Sequence, residues 1–169
     1  MEKYTVSILT EQNAREICSW RYPDEYSVYN FSDWETVLEN GWDLSIKEKR
    51  DAEYVAVLQM EELIQTDELN LKVVLIAYGR ISTIHNTTYI GIGLKPECCG
   101  LGLGTDIMNL LIDTAKERMP NKIIAVEVRE FNKRALVCYK KIGFVEKDRY
   151  RKQTLMGEDE FIYLEYSEN

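Results

Sequence analysis

Pro96-Glu97-Cys98-Cys99-Gly100-Leu101-Gly102-Leu103-Gly104-Thr105 is the stretch whose reading decides the fold. Three glycines at alternate positions open onto a helical pattern, and an apolar, strand-like run, Tyr89 to Leu94, leads into them. A glycine-rich turn between a strand and a helix leaves backbone N–H groups bare and lets a ligand approach the main chain. The helix N-terminus adds partial positive charge, so the segment has the makings of an anion cradle suited to a pyrophosphate. It is not Gly-x-Gly-x-x-Gly, because the sixth position is Thr105, and it is not Gly-x-x-x-x-Gly-Lys-Ser/Thr. Taken alone, a tight turn with close helix packing explains the array as readily as a phosphate cradle.

Downstream, Leu103, Ile107, Leu110, Leu111, Thr114 and Ala115 form a one-faced stripe at helical spacing, and Pro120 lies just past its end. Lys122 to Val128 reads as a central strand. Asn132 is a good N-cap for a further helix that ends at Gly143, with Lys140 and Lys141 in its last turn. Residues 143–167 read as two strands joined near Gly157. Upstream, residues 3–9 alternate as a strand, and Thr10 caps a helix over roughly 11–20 with Asn13 at the capping-box position. Arg21 to Phe31 reads as a tyrosine-rich loop. Ser32 is placed to cap a helix over about 33–40, which Gly41 ends. Residues 53–59 look like a strand, Glu61 to Asn70 like an acidic connection, and Leu71 to Ile81 and Tyr89 to Leu94 like two more strands. Strands dominate the first half and βαβ units the second, which predicts an α/β chain built on a mixed sheet with helices on both faces.

Two motifs in order are more specific than either alone. The chain resembles the GNAT superfamily of N-acetyltransferases, whose cofactor signature, Arg/Gln-x-x-Gly-x-Gly/Ala, lies between a central strand and a helix. Cys99-Gly100-Leu101-Gly102-Leu103-Gly104 occupies that place, after Ile92-Gly93-Leu94-Lys95-Pro96, which is similar to the family's strand ending in x-Pro. The family's later Asn-x-x-Ala, a Tyr four residues on, and Gly-Phe are matched by Asn132, Ala135, Tyr139, Gly143 and Phe144. The resemblance covers roughly 71–166. It implies a GNAT-like fold with a twisted central sheet of six to seven strands, and acetyl-CoA as cosubstrate with no metal. The cofactor residues it implies are Ile92, Leu94, Cys99, Gly100, Leu101, Gly102, Leu103, Gly104, Thr105, Asn132 and Ala135. The backbone of Ile92 and Leu94 would pair with the pantetheine arm like an added strand, where two parallel strands splay. Cys99 and Leu101 replace the family's polar or basic loop residues, so backbone amides and the helix dipole must hold the pyrophosphate, with Lys133 or Arg134 as the nearby cations.

Tyr139 takes the general-acid role by resemblance. A phenol with a pKa of about 10 stays protonated at neutral pH and can donate to the departing sulfur. The competing reading makes Ala135, Tyr139 and Ile142 one core face of a helix. For the general base, Thr87, Thr88 and Tyr89 stand where some family members carry a Glu, which leaves a water relay with Glu127 or Glu25 as contributors. His85 in His85-Asn86 reads as a turn histidine. Trp20-Arg21-Tyr22-Pro23-Asp24-Glu25-Tyr26-Ser27-Val28-Tyr29 combines aromatics with acids. Either Glu25, Tyr26 and Tyr29 line an amine pocket, or the segment packs its tyrosines on the sheet edge. The acidic run Glu61, Glu62, Asp67 and Glu68 reads as solvated.

At 169 residues the chain reads as one N-acetyltransferase domain, 1–169. Twenty-one basic and 29 acidic residues leave a net charge of −8, which argues against a broad nucleic-acid surface. The same charge tips the acceptor toward a small amine or polyamine over a protein N-terminus or lysine. No run of about 18 apolar residues exists and Met1-Glu2-Lys3-Tyr4 lacks a signal pattern, so a cytoplasmic protein without membrane contact is expected. Cys18, Cys98, Cys99 and Cys138 match no zinc spacing and read as free thiols. No histidine or cation is set beside them to activate a covalent route, which favours direct attack by the amine. A homodimer stays open. The competing class is a non-catalytic CoA-binding or regulatory module.

Overall fold

The structure is a computed structural model that describes the backbone of residues 3–65, 68–154 and 156–168, with the side chains of 62–71 excepted. The first strand, Tyr4–Ile8 (β1), gives way to Glu11–Ser19 (α1) at a reciprocal cap. Thr10 Oγ1 accepts from the Asn13 N–H, and Asn13 Oδ1 accepts from the Thr10 N–H, each at 3.1 Å. Asn thus does the work of the usual Glu or Gln. The expected loop after α1 holds a 3₁₀ turn, Asp24–Tyr29. The next helix, Trp34–Glu39 (α2), is capped by Asp33 and not by Ser32, because it is the Asp33 carboxylate that accepts from the Thr36 N–H at 2.9 Å. Lys47–Glu53 (α3) has no counterpart in the sequence reading. Of its seven residues only Arg50 is buried, so no apolar stripe announces it.

Tyr54–Gln65 (β2) and Glu68–Ile84 (β3) continue as a paired ribbon through the region read as an acidic connection. Cross-strand pairs such as Met60 with Val73 and Glu61 with Lys72 carry it. Its polar composition hid it, since an exposed ribbon needs no buried face. Glu61 is exposed, while Asp67 and the side chains of Glu62 and Glu68 lie outside the described residues. Then come Thr87–Leu94 (β4), Gly104–Arg118 (α4), Ile123–Arg129 (β5), Lys133–Lys141 (α5), Phe144–Thr154 (β6) and Gly157–Tyr166 (β7).

The strands form one seven-stranded sheet in the order β1-β2-β3-β4-β5-β7-β6. Only β4 and β5 run parallel. Successive side chains of a strand point to opposite faces. Accordingly Val55 and Val57 join a core with Ile107 and Leu111 of α4 and Leu136 of α5, while Tyr54 and Ala56 join a second core with α1 and α2. Helices therefore cover both faces, as expected. In α4 the buried stripe is wider than predicted, taking in Met108 and Ile112, because the helix abuts α5 as well as the sheet.

Candidate active site

Parallel pairing of β4 with β5 stops early. It joins Thr87, Thr88 and Tyr89 to Ile123, Ile124 and Ala125 and goes no further. On its other side β4 stays paired with β3 up to Leu94, and the Lys95 N–H donates to the Ile76 carbonyl at 2.8 Å. That bond sets the alternation of the ladder. Gly91 and Gly93 turn their amides and carbonyls to β3, whereas Ile92 and Leu94 turn theirs to the side that β5 has left. The strands splay at this point, and main-chain groups of Ile92 and Leu94 face the gap.

The glycine turn follows directly. Gly100 and Gly102 adopt φ of +81° and +78°, the left-handed region that glycine enters freely. A Cβ at either would meet nothing within 4 Å, so the ground above both is open to a ligand. Leu103 at the N-cap of α4 offers no side-chain hydrogen bond to the first turn. None of the amides from Gly100 to Thr105 finds a protein acceptor among the described residues. Bare amides of this kind, at the start of a 15-residue helix, suit a pyrophosphate.

The splay and the turn open into one cleft of about 1330 Å³. Of the residues expected from sequence, Ile92, Leu94, Cys99, Gly100, Gly102, Leu103, Gly104, Thr105, Asn132, Ala135 and Tyr139 line it, as do Tyr26, Tyr29 and Glu127. Two do not. Leu101 turns outward, 65% exposed, so only its backbone remains available to a ligand. Glu25 is exposed at the start of the 3₁₀ turn and outside the lining, where its carboxylate stays in water instead of being buried unpaired. Sequence reasoning missed Trp42, Tyr54, Tyr78, Arg80 and Arg129, which also line the cleft. For Arg80 a signal was present in the form of a cation inside an otherwise apolar strand run.

Tyr139 is 8% exposed, its ring against Phe144 at 5.7 Å between centroids. Burial pushes its phenol well above the ordinary value, with nearby Cys138 and Tyr29 adding to the effect, and among the described residues no hydrogen bond perturbs it. It is therefore both a core residue and a proton donor at the cleft wall, and the two readings coexist. Asn132 also does two things. Its Oδ1 accepts from the Ala135 N–H at 3.1 Å as the cap of α5, and its Nδ2 donates to the Tyr29 hydroxyl at 3.1 Å. Tyr22 donates to the Leu94 carbonyl at 2.7 Å, and the Arg134 guanidinium lies 3.9 Å from the centre of the Tyr26 ring. The tyrosine-rich segment thus spans the cleft and is tied to its far wall.

Charges in the cleft are largely matched. Glu127 accepts from the Tyr150 hydroxyl and from Lys152 at 2.7 Å. Arg80 is held by Asp43 and Glu53. Beside the glycine turn, Cys99 Sγ approaches the Leu94 and Lys95 carbonyls at 3.9 and 3.7 Å. Burial raises the Cys99 and Cys138 thiols, and for Cys18 it does so to about 11, so none is primed as a thiolate. His85 sits exposed in the β3–β4 turn at φ +53°.

The family model for the acetyltransferase (GNAT) family matches residues 14–144. The chain belongs to the GNAT acetyltransferase family. Solved structures place this GNAT chain beside N-acetyltransferases at low identity. One is a chimera of the spermidine N-acetyltransferase SpeG of Vibrio cholerae and hSSAT, 20% identical with a TM-score of 0.68, covering 97% of this chain and 96% of that one. Another is a ribosomal-protein alanine N-acetyltransferase of Escherichia coli, 18% identical with a TM-score of 0.60, covering 96% of this chain and 92% of that one. These likenesses concern the fold. No curated protein matches the sequence. Membership in the GNAT family supports acetyl transfer as the general activity. Among the described residues, no helix is long and apolar enough to cross a membrane.

Proposed function

We propose that the chain transfers an acetyl group from acetyl-CoA to a primary amine of a small molecule by direct attack, with Tyr139 as general acid. The sheet runs from Tyr4 to Tyr166, which supports reading residues 1–169 as one N-acetyltransferase domain. The cosubstrate supplies an activated thioester. Bare amides from Gly100 to Thr105 would hold its pyrophosphate, and the main-chain groups of Ile92 with the Leu94 N–H its pantetheine arm, the Leu94 carbonyl being taken by Tyr22. Arg134 adds the cation that the loop itself lacks. Glu127, the carboxylate of the cleft wall, is engaged by Tyr150 and Lys152 and would take the acceptor's proton through an intervening water before attack.

The observation that carries this reading is the buried Tyr139 phenol, without a hydrogen-bonding neighbour among the described residues, in the wall of the cleft that the glycine turn and the splayed strands form. A module that only binds CoA has no use for such a donor. The spermidine N-acetyltransferase among the structural neighbours suits a small-amine acceptor. The test is thiol release from acetyl-CoA across a panel of amines. Turnover with at least one amine, lowered about 100-fold in kcat by Tyr139→Phe with little change in KM for acetyl-CoA, is expected. Tight CoA binding with no turnover on the whole panel would favour the module.

A further inference from the structure

Arg129 ends β5 in the cleft wall with a side chain only 13% exposed. Its Nε donates to Asp159 at 2.7 Å. Its guanidinium lies 5.3 Å from the centre of the Tyr29 ring and 5.2 Å from that of Phe161. The Tyr29 hydroxyl is close by, and that oxygen already receives the Asn132 amide. No other carboxylate or carbonyl takes a hydrogen bond from the two terminal nitrogens among the described residues. The group is thus fixed on its Nε edge and its ring faces, the Tyr29 hydroxyl takes one N–H, and the remaining terminal N–H groups have no carboxylate or carbonyl partner among the described residues. A planar fork of this kind matches the two oxygens of a carboxylate.

The other cations of the cleft are differently placed. Arg80 is shared between Asp43 and Glu53. Lys133 is paired with Glu130, Lys141 stands in the last turn of α5, and Arg134 lies over Tyr26 on the cofactor side, near Cys99. Glu127, whose oxygens accept from Tyr150 and Lys152, is two residues from Arg129 on the same strand, and so on the same face, about 7 Å along it. A carboxylate and a guanidinium at that spacing complement an ammonium and a carboxylate carried by one small molecule.

Building on the acetyltransferase reading, we infer that the acceptor is an amino acid-like molecule whose carboxylate, beside the reacting amine, is gripped by the outer fork of Arg129 while Glu127 faces the ammonium. Tyr26, Tyr29, Phe31 and Trp42 in the same lining favour an apolar or aromatic side chain. The inference departs from a polyamine acceptor, which has no anionic group to offer Arg129.

The test compares L-phenylalanine, L-phenylalaninamide, phenethylamine and a phenylalanine-containing dipeptide, with the same set for leucine, by thiol release from acetyl-CoA. The free amino acid should exceed its amide and its decarboxylated amine at least about 10-fold in kcat/KM, and should exceed the dipeptide, whose carboxylate is remote from its amine. Arg129→Gln should erase the ratio and Arg129→Lys should keep part of it. Equal turnover of acid and amide by the unaltered protein overturns the inference, and so does an Arg129→Gln effect that is the same on every amine, the mark of a structural strut. Calorimetry with the N-acetylated acid and N-acetylated amide, in the presence of CoA, decides the matter without catalysis. At least about 10-fold tighter binding of the acid supports the carboxylate grip even if no amine turns over, and equal binding overturns it.

Discussion

Single residues carry the chemistry, and Tyr139 shows how. An exposed phenol titrates near 10.0; burial moves that of Tyr139 upward. The acid form is the useful one, so the shift widens the range in which it is present. Activity should rise with pH as the amine loses its proton and should show no descending limb below about pH 10. A bell-shaped kcat profile falling near pH 8 would assign the acid role to another group. The glycine turn makes the complementary case. At Gly102 a valine would have to enter the left-handed region, at about 1–2 kcal/mol, and would fill the ground above the amides. Gly102→Val should therefore abolish CoA binding by calorimetry. Cys99→Ser should change it little, since the Cys99 sulfur faces carbonyls and not the bare amides.

At the level of elements, short-range signals were legible and packing-dependent ones were not. The Thr10 and Asn132 caps, the glycine turn and both hairpin strands of 143–167 lie within a turn or a strand of the residues that announce them, and the structure has them in place. α3 escaped notice because a mostly exposed seven-residue helix needs no apolar face. The β2–β3 ribbon escaped because its partners are supplied by pairing, which composition does not record. Asn132 belongs to both categories. Its cap was readable; its bond to Tyr29 was not. Asn132→Ala should cost about 0.5–2 kcal/mol in thermal or denaturant unfolding. Asn132→Asp retains the Oδ1 cap and loses the Nδ2 donor, so it should hold stability while raising KM for the acceptor. Equal unfolding midpoints for the alanine variant and the unaltered protein would remove the cap from the account.

Over the whole molecule, net charge and cleft charge part company. The chain carries −8. Yet the described cleft lining holds Arg80, Arg129, Lys133, Arg134 and Lys141 against Glu127 alone. Acidic composition pointed to cationic ligands, but it averages over a solvated surface that the ligand never meets. CoA affinity should accordingly fall with added salt, as screening shortens the reach of Arg134 and Lys141 to about 10 Å at 0.1 M. Arg134→Gln should weaken binding a few-fold and flatten that salt dependence, and titrations from low to high ionic strength will read both. Affinity insensitive to salt would return the whole task to the backbone. By itself the sequence determined the strand–glycine turn–helix unit, the capped helix bearing Tyr139 and the family to which they belong, because caps, turns and periodicities act over a few residues. Only the tertiary structure decided which side chains meet in the cleft. Tyr22 reaches a carbonyl 72 residues away and Tyr29 an amide 103 residues away. Such distances are closed by the pairing of the sheet and the packing on its two faces, and no local pattern encodes them.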